Sequence, residues 1–179
     1  MDYFAPGNPP AAPAKGNTKT IFAVLVVTVF VLMIAAVAIP CLIRPKGAAE
    51  ESSAASGVHT LIMSEIQYQS DYGRYAPDIK ALGGPSGGCP PGSQPTGSNA
   101  CLIDFQVSDS SPTSPKSGYY FIAKMGPSPQ TFVVSAVPVA LPHKSFCGID
   151  DGVVRYDASG SNASPTSYTS CKALPPIGE

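Results

Sequence analysis

The chain has 179 residues, a formal net charge of −1 and a charged fraction of 13%. This length allows about one domain together with a tail or an anchor. The low and balanced charge excludes the basic patch that nucleic-acid binding requires, so no nucleic-acid partner is predicted. Seventeen glycines and 20 prolines indicate many turns and loops around a small core.

Residues 1–20 are rich in proline and alanine, and they predict a disordered N-terminal tail. An apolar run follows from Ile21 to Ile39, with Thr28 as its only polar residue. As a helix, its 19 residues span about 28 Å, close to the bilayer hydrocarbon thickness of about 30 Å. A run of this kind is typical of a cleaved signal, a permanent anchor or the core helix of a filament subunit.

The length of the run disfavours a secretory signal, whose apolar region normally has about 7–15 residues. Pro40 stands directly before Cys41, where lipid attachment would need a small residue, and Cys41 has no predicted role. The sequence therefore predicts a transmembrane or filament-core helix over residues 21–43. Basic residues are balanced on the two sides of the run, so they set no orientation.

Four cysteines lie beyond the apolar run, at wide spacings that do not predict zinc binding. An even number favours two disulfides in an oxidising compartment, which would place residues 44–179 outside the cytoplasm. Three pairings are open, although sequence order favours the two local ones. The candidate disulfide residues are Cys89, Cys101, Cys147 and Cys171.

Beyond the membrane run the pattern predicts an amphipathic helix that ends near Tyr72-Gly73, before Pro77. Its apolar stripe, expected to pack on a sheet, consists of Val58, Leu61, Ile62 and Ile66. Residues 83–100 form a Gly/Pro/Ser loop. Short strands are predicted over Leu102–Val107, Tyr119–Met125, Phe132–Val139 and Gly152–Tyr156.

Local turns between these short strands predict an antiparallel sheet in residues 44–179, because no crossover helices separate them. The predicted fold is α+β, with a long N-terminal helix, membrane half followed by amphipathic half, resting on the sheet. The paired carboxylates in Gly148–Val153 predict an Asp-Gly hairpin turn or, less favoured, a calcium site. No nucleophile motif is present, so the sequence predicts neither an enzyme nor a cofactor or metal.

Two segments resemble type IV pilins and the pseudopilins of type II secretion. One is "IAAVAIPCLIRPKGAAEESSAASG", where Ile-Pro ends the hydrophobic half-helix, and the other is the strand and hairpin region that contains "GVVRYD". The resemblance implies a pilin-like fold with a disulfide-closed C-terminal tail. It implies assembly through the N-terminal helix, whose positions here are Ile21, Phe22, Leu25, Val29, Leu32, Ala36, Ile39 and Pro40.

The resemblance also implies a prepilin peptidase as a partner, with Gly16 as the nearest processing glycine. Aligning Pro40 with the family's proline places the cleavage glycine at Thr18 and the helix glutamate at Ala23, so this chain departs from the family at both positions. The expected function is a structural subunit of a type IV pilus or pseudopilus, with its partners in other copies of itself and in the membrane. The alternative is an uncleaved single-pass protein whose pilin-like domain binds a partner without polymerising. The expected location is the bacterial inner membrane or a cell-surface filament.

Overall fold

The structure is a computed structural model that describes residues 18–86, 88–140, 143–160 and 165–178, without the side chains of residues 18, 20 and 35–45. The chain divides into two compact units, Met1–Arg44 and Pro45–Glu179. Residues 1–17 of the predicted tail over residues 1–20 lie outside the described residues. The first helix begins at Thr18. The helices are α1 Thr18–Tyr72, α2 Ile79–Leu82, α3 Phe105–Ser108 and α4 Tyr168–Lys172.

The second unit contains a four-stranded antiparallel sheet in the order β1-β2-β3-β4. Its strands are β1 Tyr119–Met125, β2 Phe132–Pro138, β3 Ser145–Ile149 and β4 Val154–Asp157. Every residue of β2 and β3 is buried, because these central strands are covered on both faces. The predicted strands over Tyr119–Met125 and Phe132–Val139 are confirmed to within one residue.

Both edges of the sheet are covered by other parts of the chain. Beside β4, the backbone N–H of Tyr156 donates to Pro175 O at 3.2 Å, and that of Ile177 donates to Val154 O at 3.0 Å. Beside β1, the N–H of Phe121 donates to Ser110 Oγ at 2.9 Å. Covered edges offer few free backbone groups to a further strand, which disfavours edge-to-edge pairing.

The part of α1 within the second unit packs on the sheet through one face. The fully buried positions follow a spacing of four and three residues, which keeps them on one side of a helix. Two glycines allow close approach: a Cβ at Gly57 would lie 2.6 Å from the Phe121 ring, and one at Gly148 would lie 2.4 Å from Ile62 Cδ1. The positions on the buried line are Ala54, Val58, Leu61, Glu65 and Tyr68.

This line corrects the predicted stripe at one position. Val58, Leu61 and Ile62 are buried as predicted, but Ile66 is 41% exposed and Glu65 is fully buried. Residue 65 lies on the straight continuation of positions 58 and 61, whereas residue 66 is turned away by about 100°. Helix geometry therefore overrides the hydrophobicity of the two side chains.

Two further predictions about the sheet are wrong. The predicted strand Leu102–Val107 contains helix α3, because the Asp104 carboxylate accepts the Val107 N–H at 2.9 Å and caps the turn. The fourth strand is instead β3, which the sequence did not indicate because Cys147 and Gly148 interrupt its apolar pattern. Helix α1 ends at Tyr72 as predicted, with Gly73 at φ +72°.

The predicted membrane anchor is also corrected. Among the described residues, no helix carries an apolar stretch long enough to cross a bilayer. The prediction of an inner-membrane location is therefore wrong. The predicted helix over residues 21–43 falls partly on side chains that lie outside the described residues.

The predicted fold class is also wrong in its long N-terminal helix. The α+β combination and the antiparallel sheet are present. However, the described chain shows no membrane half, and α2, α3 and α4 have only four or five residues. The part of α1 from Ala54 onwards carries buried side chains and rests on the sheet.

Candidate functional site

The first candidate site is the apolar segment of α1 from Ile21 to Ile34, called here the apolar segment. The exposed fraction of its large side chains ranges from 49% at Val26 to 70% at Phe22. Thr28, its polar residue, donates its hydroxyl to Val24 O at 2.8 Å, so its side-chain hydrogen-bonding group is satisfied within the helix. The segment therefore presents an almost entirely apolar surface.

The structure places five of the predicted assembly residues on this surface. Their side chains are between 50% and 70% exposed, and at 100° per residue they lie on one face of the helix. The opposite faces are also apolar, because Val24, Val26 and Val27 are between 49% and 61% exposed. A helix that is apolar on all sides is stable in water only when it is surrounded. The five predicted assembly residues are Ile21, Phe22, Leu25, Val29 and Leu32.

Other sequence-predicted residues lie outside what the structure describes. The side chains of Ala36, Ile39 and Pro40 are not among the described ones, and neither is that of Cys41. The proposed processing residue Gly16 precedes the described part of the chain.

The four remaining cysteines form two disulfides, Cys89–Cys101 and Cys147–Cys171. These are the two local pairings that sequence order favours. The second is fully buried and forms a small core with Val133 and Ile149, and it holds α4 against β3. The first closes the loop over residues 83–100, whose composition has little apolar surface to hold it.

A cluster of charged side chains ties α1 to the loop before β3 within the second unit. Glu51 forms an ion pair with Lys144 at 3.3 Å and lies 3.8 Å from His143 Nδ1. The Tyr119 hydroxyl donates to Lys144 O at 2.8 Å. Burial, and then the carboxylates of Glu51 and Glu50, raise the pKa of Tyr119. The Tyr119 hydroxyl is thus a fixed donor in a structural network, with no role as a base.

A buried carboxyl group lies between α1 and the segment that follows it. Glu65 Oε2 accepts the Ala76 N–H at 2.9 Å, while Glu65 Oε1 is buried without a hydrogen-bond partner in the described part of the chain. Burial raises the pKa of Glu65 to about 7, against an ordinary value of 4.5. In the sequence, Glu65 lies at helical spacing from the predicted apolar stripe. Its alignment with residues 54, 58 and 61 on one helix face is the sequence signal that would have identified it as buried.

The Asp-Gly turn between β3 and β4 is a hairpin, as the sequence favours. Gly152 has φ +77°, and Arg155 binds both carboxylate oxygens of Asp151 at 3.0 and 2.5 Å. These hydrogen bonds hold the pKa of Asp151 below its ordinary value. Since Arg155 occupies the carboxylate, the turn offers little to calcium, and the described residues include no group of three His, Cys, Asp or Glu side chains that could hold a metal.

Comparison of the chain with protein-family models, curated proteins and solved structures gave no match.

Proposed function

We propose that this chain is a structural subunit that assembles with other copies of itself through the apolar segment of α1. The class of protein meant is that of the subunits of type IV pili and type II secretion pseudopili, which the sequence resembles. The observation that carries the proposal is the unbroken exposure of apolar side chains from Ile21 to Ile34.

The distribution of this exposure favours several partner helices over one. A dimer seam requires apolar residues on one stripe only, with polar residues elsewhere. Here consecutive positions such as Val24, Leu25 and Val26 are 59%, 58% and 49% exposed, so a single partner would leave most of the apolar area in water. Burial of apolar area contributes roughly 25 cal/mol per Å², and this energy is largest when copies surround each helix.

The second unit fits the role of a stable folded domain in such an assembly. Its sheet edges are covered, its two disulfides are internal, and its described surface carries no cluster suited to metal chemistry. Such a domain resists strand addition, so that association is directed to the helix.

The proposal is tested by sedimentation and electron microscopy of the full-length chain after detergent removal. We expect large oligomers or filaments for the native chain, and loss of assembly in Leu25→Glu and Val29→Glu, because each places a charge within the buried helix contact. The control is Met125→Glu, which alters a side chain that is 49% exposed on β1 and should assemble normally. A native chain that stays monomeric, or assembly unchanged by both substitutions, would refute the proposal.

A second candidate function is a binding module that does not polymerise. The observation that favours it is the lack of any acidic residue between Asp2 and Glu50, since pilins use a helix glutamate to register neighbouring copies. In the same experiment this candidate predicts monomers or defined small complexes with the second unit intact.

A further inference from the structure

Two hollows flank Phe105 on the surface of the second unit, with volumes of about 350 and 360 Å³. Both are lined by Phe105 and Asp109, so we treat them as one groove, the Phe105 groove. On one side it is bordered by Lys116 and Ser117, and on the other by Asn99. Each hollow lies in the lower part of the size range of small-ligand pockets, which is about 300–1,000 Å³.

The walls of the groove are short turns closed by paired backbone hydrogen bonds. Thr96 and Asn99 exchange N–H···O bonds at 3.1 and 3.0 Å, and Lys116 and Tyr119 exchange them at 2.8 and 3.0 Å. The Tyr68 hydroxyl donates to Gly97 O at 2.5 Å, which anchors the first turn to α1. The groove is therefore preformed, which lowers the entropy lost when a ligand binds.

Ser117 stands at the rim of the groove in a conformation that non-glycine residues rarely adopt. Its φ is +50°, followed by Gly118 at +79°, the pattern of a type I′ turn. Such a conformation costs of order 1 kcal/mol or more and is found most often at functional sites. The paired backbone hydrogen bonds between Lys116 and Tyr119 hold this turn, and with it the rim beside Phe105.

Several polar side chains of the groove are free to bind a ligand. In the described part of the chain, Asp109, Gln106 and Lys80 have no side-chain hydrogen bond or ion pair. Lys116, by contrast, is paired with the Asp104 carboxylate. The free charges, one carboxylate and one ammonium, balance each other, so the groove has no preference for an ionic ligand.

We propose that the Phe105 groove binds a neutral saccharide. A sugar ring offers an apolar face of C–H groups to the half-buried Phe105 ring, and hydroxyl groups that donate to Asp109 and accept from Lys80 or Gln106. A peptide strand fits less well, because the backbone groups of the wall turns are already paired with each other. This inference concerns the second unit and does not depend on the proposed assembly.

The test is saturation-transfer NMR of the full-length protein with maltotriose, lactose and diacetylchitobiose, in a detergent without a sugar head group. We expect transfer to at least one of these saccharides. Phe105→Leu, which keeps apolar volume and removes the ring, should weaken its binding at least tenfold, and Asp109→Ala should weaken it severalfold. Met125→Ala is the matched control and should leave binding unchanged.

The fold of each variant is checked by its melting temperature, since α3 is short and Phe105 packs in it. If Phe105→Leu does not fold, the saccharide affinity of Asp109→Ala provides the test instead. Asp109 is exposed, so its substitution should leave the fold intact. No transfer to any of the three saccharides would overturn the proposal. Binding that both variants leave unchanged would overturn it too.

Discussion

Replacing Glu65 by glutamine tests how the buried carboxyl group affects stability. The pKa of Glu65 is about 7 in the folded chain, against an ordinary value of 4.5. Between these values the folded state binds more protons than the unfolded state, so the free energy of unfolding falls as pH rises. The stabilising contribution is complete below pH 4.5 and is lost once pH exceeds 7.

The magnitude follows from the size of the shift. One pKa unit corresponds to about 1.4 kcal/mol, so the native chain should lose roughly 3 kcal/mol of stability from this group between pH 4.5 and pH 8. Glutamine keeps an oxygen that can accept the Ala76 N–H and carries no charge. Glu65→Gln should therefore be about 2–3 kcal/mol more stable than the native chain at pH 8, and within about 1 kcal/mol of it at pH 5.

Urea unfolding with intact disulfides, measured at pH 5, 6, 7 and 8, provides the assay. The control is Asp109→Asn, whose carboxyl group is exposed and should leave the pH dependence of the native chain unchanged. If the stability difference between Glu65→Gln and the native chain is the same at pH 5 and pH 8, burial of an ionisable Glu65 has no such cost and the reasoning is refuted.

Two further predictions concern packing and the disulfides. Gly57→Ala places a Cβ 2.6 Å from the Phe121 ring, so we expect it to lower the free energy of unfolding in urea by about 1–3 kcal/mol. The control, Ser56→Ala on the exposed face, should change this free energy little. Equal stabilities of the two variants would contradict the close approach of α1 to β1. Removing Cys147–Cys171, with a sequence separation of 24, as a double alanine variant should cost about 3 kcal/mol from loop closure, plus lost core packing. Removing Cys89–Cys101, whose sequence separation is 12, should cost less stability because Cys89 is exposed. If thermal melting gave the reverse order, the disulfide of the loop over residues 83–100 would be the more stabilising one, which contradicts the prediction.

The secondary-structure elements of the second unit show which ones the local sequence pattern could predict. Strands β1 and β2 have apolar, β-branched and aromatic residues between Gly/Pro/Ser turns, and they form where the sequence predicts them. The segment after residue 101 has similar apolar content but starts with Asp104, whose carboxylate caps a helical turn. A single side-chain hydrogen bond there outweighed a weak strand preference.

The candidate sites differ in how much of each could be predicted from the sequence alone. The exposed apolar residues of α1 could be named from sequence because a continuous apolar run needs no knowledge of neighbours. Phe105, Asp109 and Asn99, in contrast, are separated along the chain and come together only because α3 and the turn at Thr96–Asn99 pack beside each other. Sequence spacing carries no signal for such a groove.

The sequence by itself determined strands β1 and β2 and their antiparallel pairing, the end of α1 near Gly73 and the apolar character of the segment from Ile21. These properties follow from local composition and periodicity. Only the tertiary structure decided that Glu65 replaces Ile66 in the core, because the line of contact along α1 depends on where β1 and β3 approach it. The same packing covers both sheet edges.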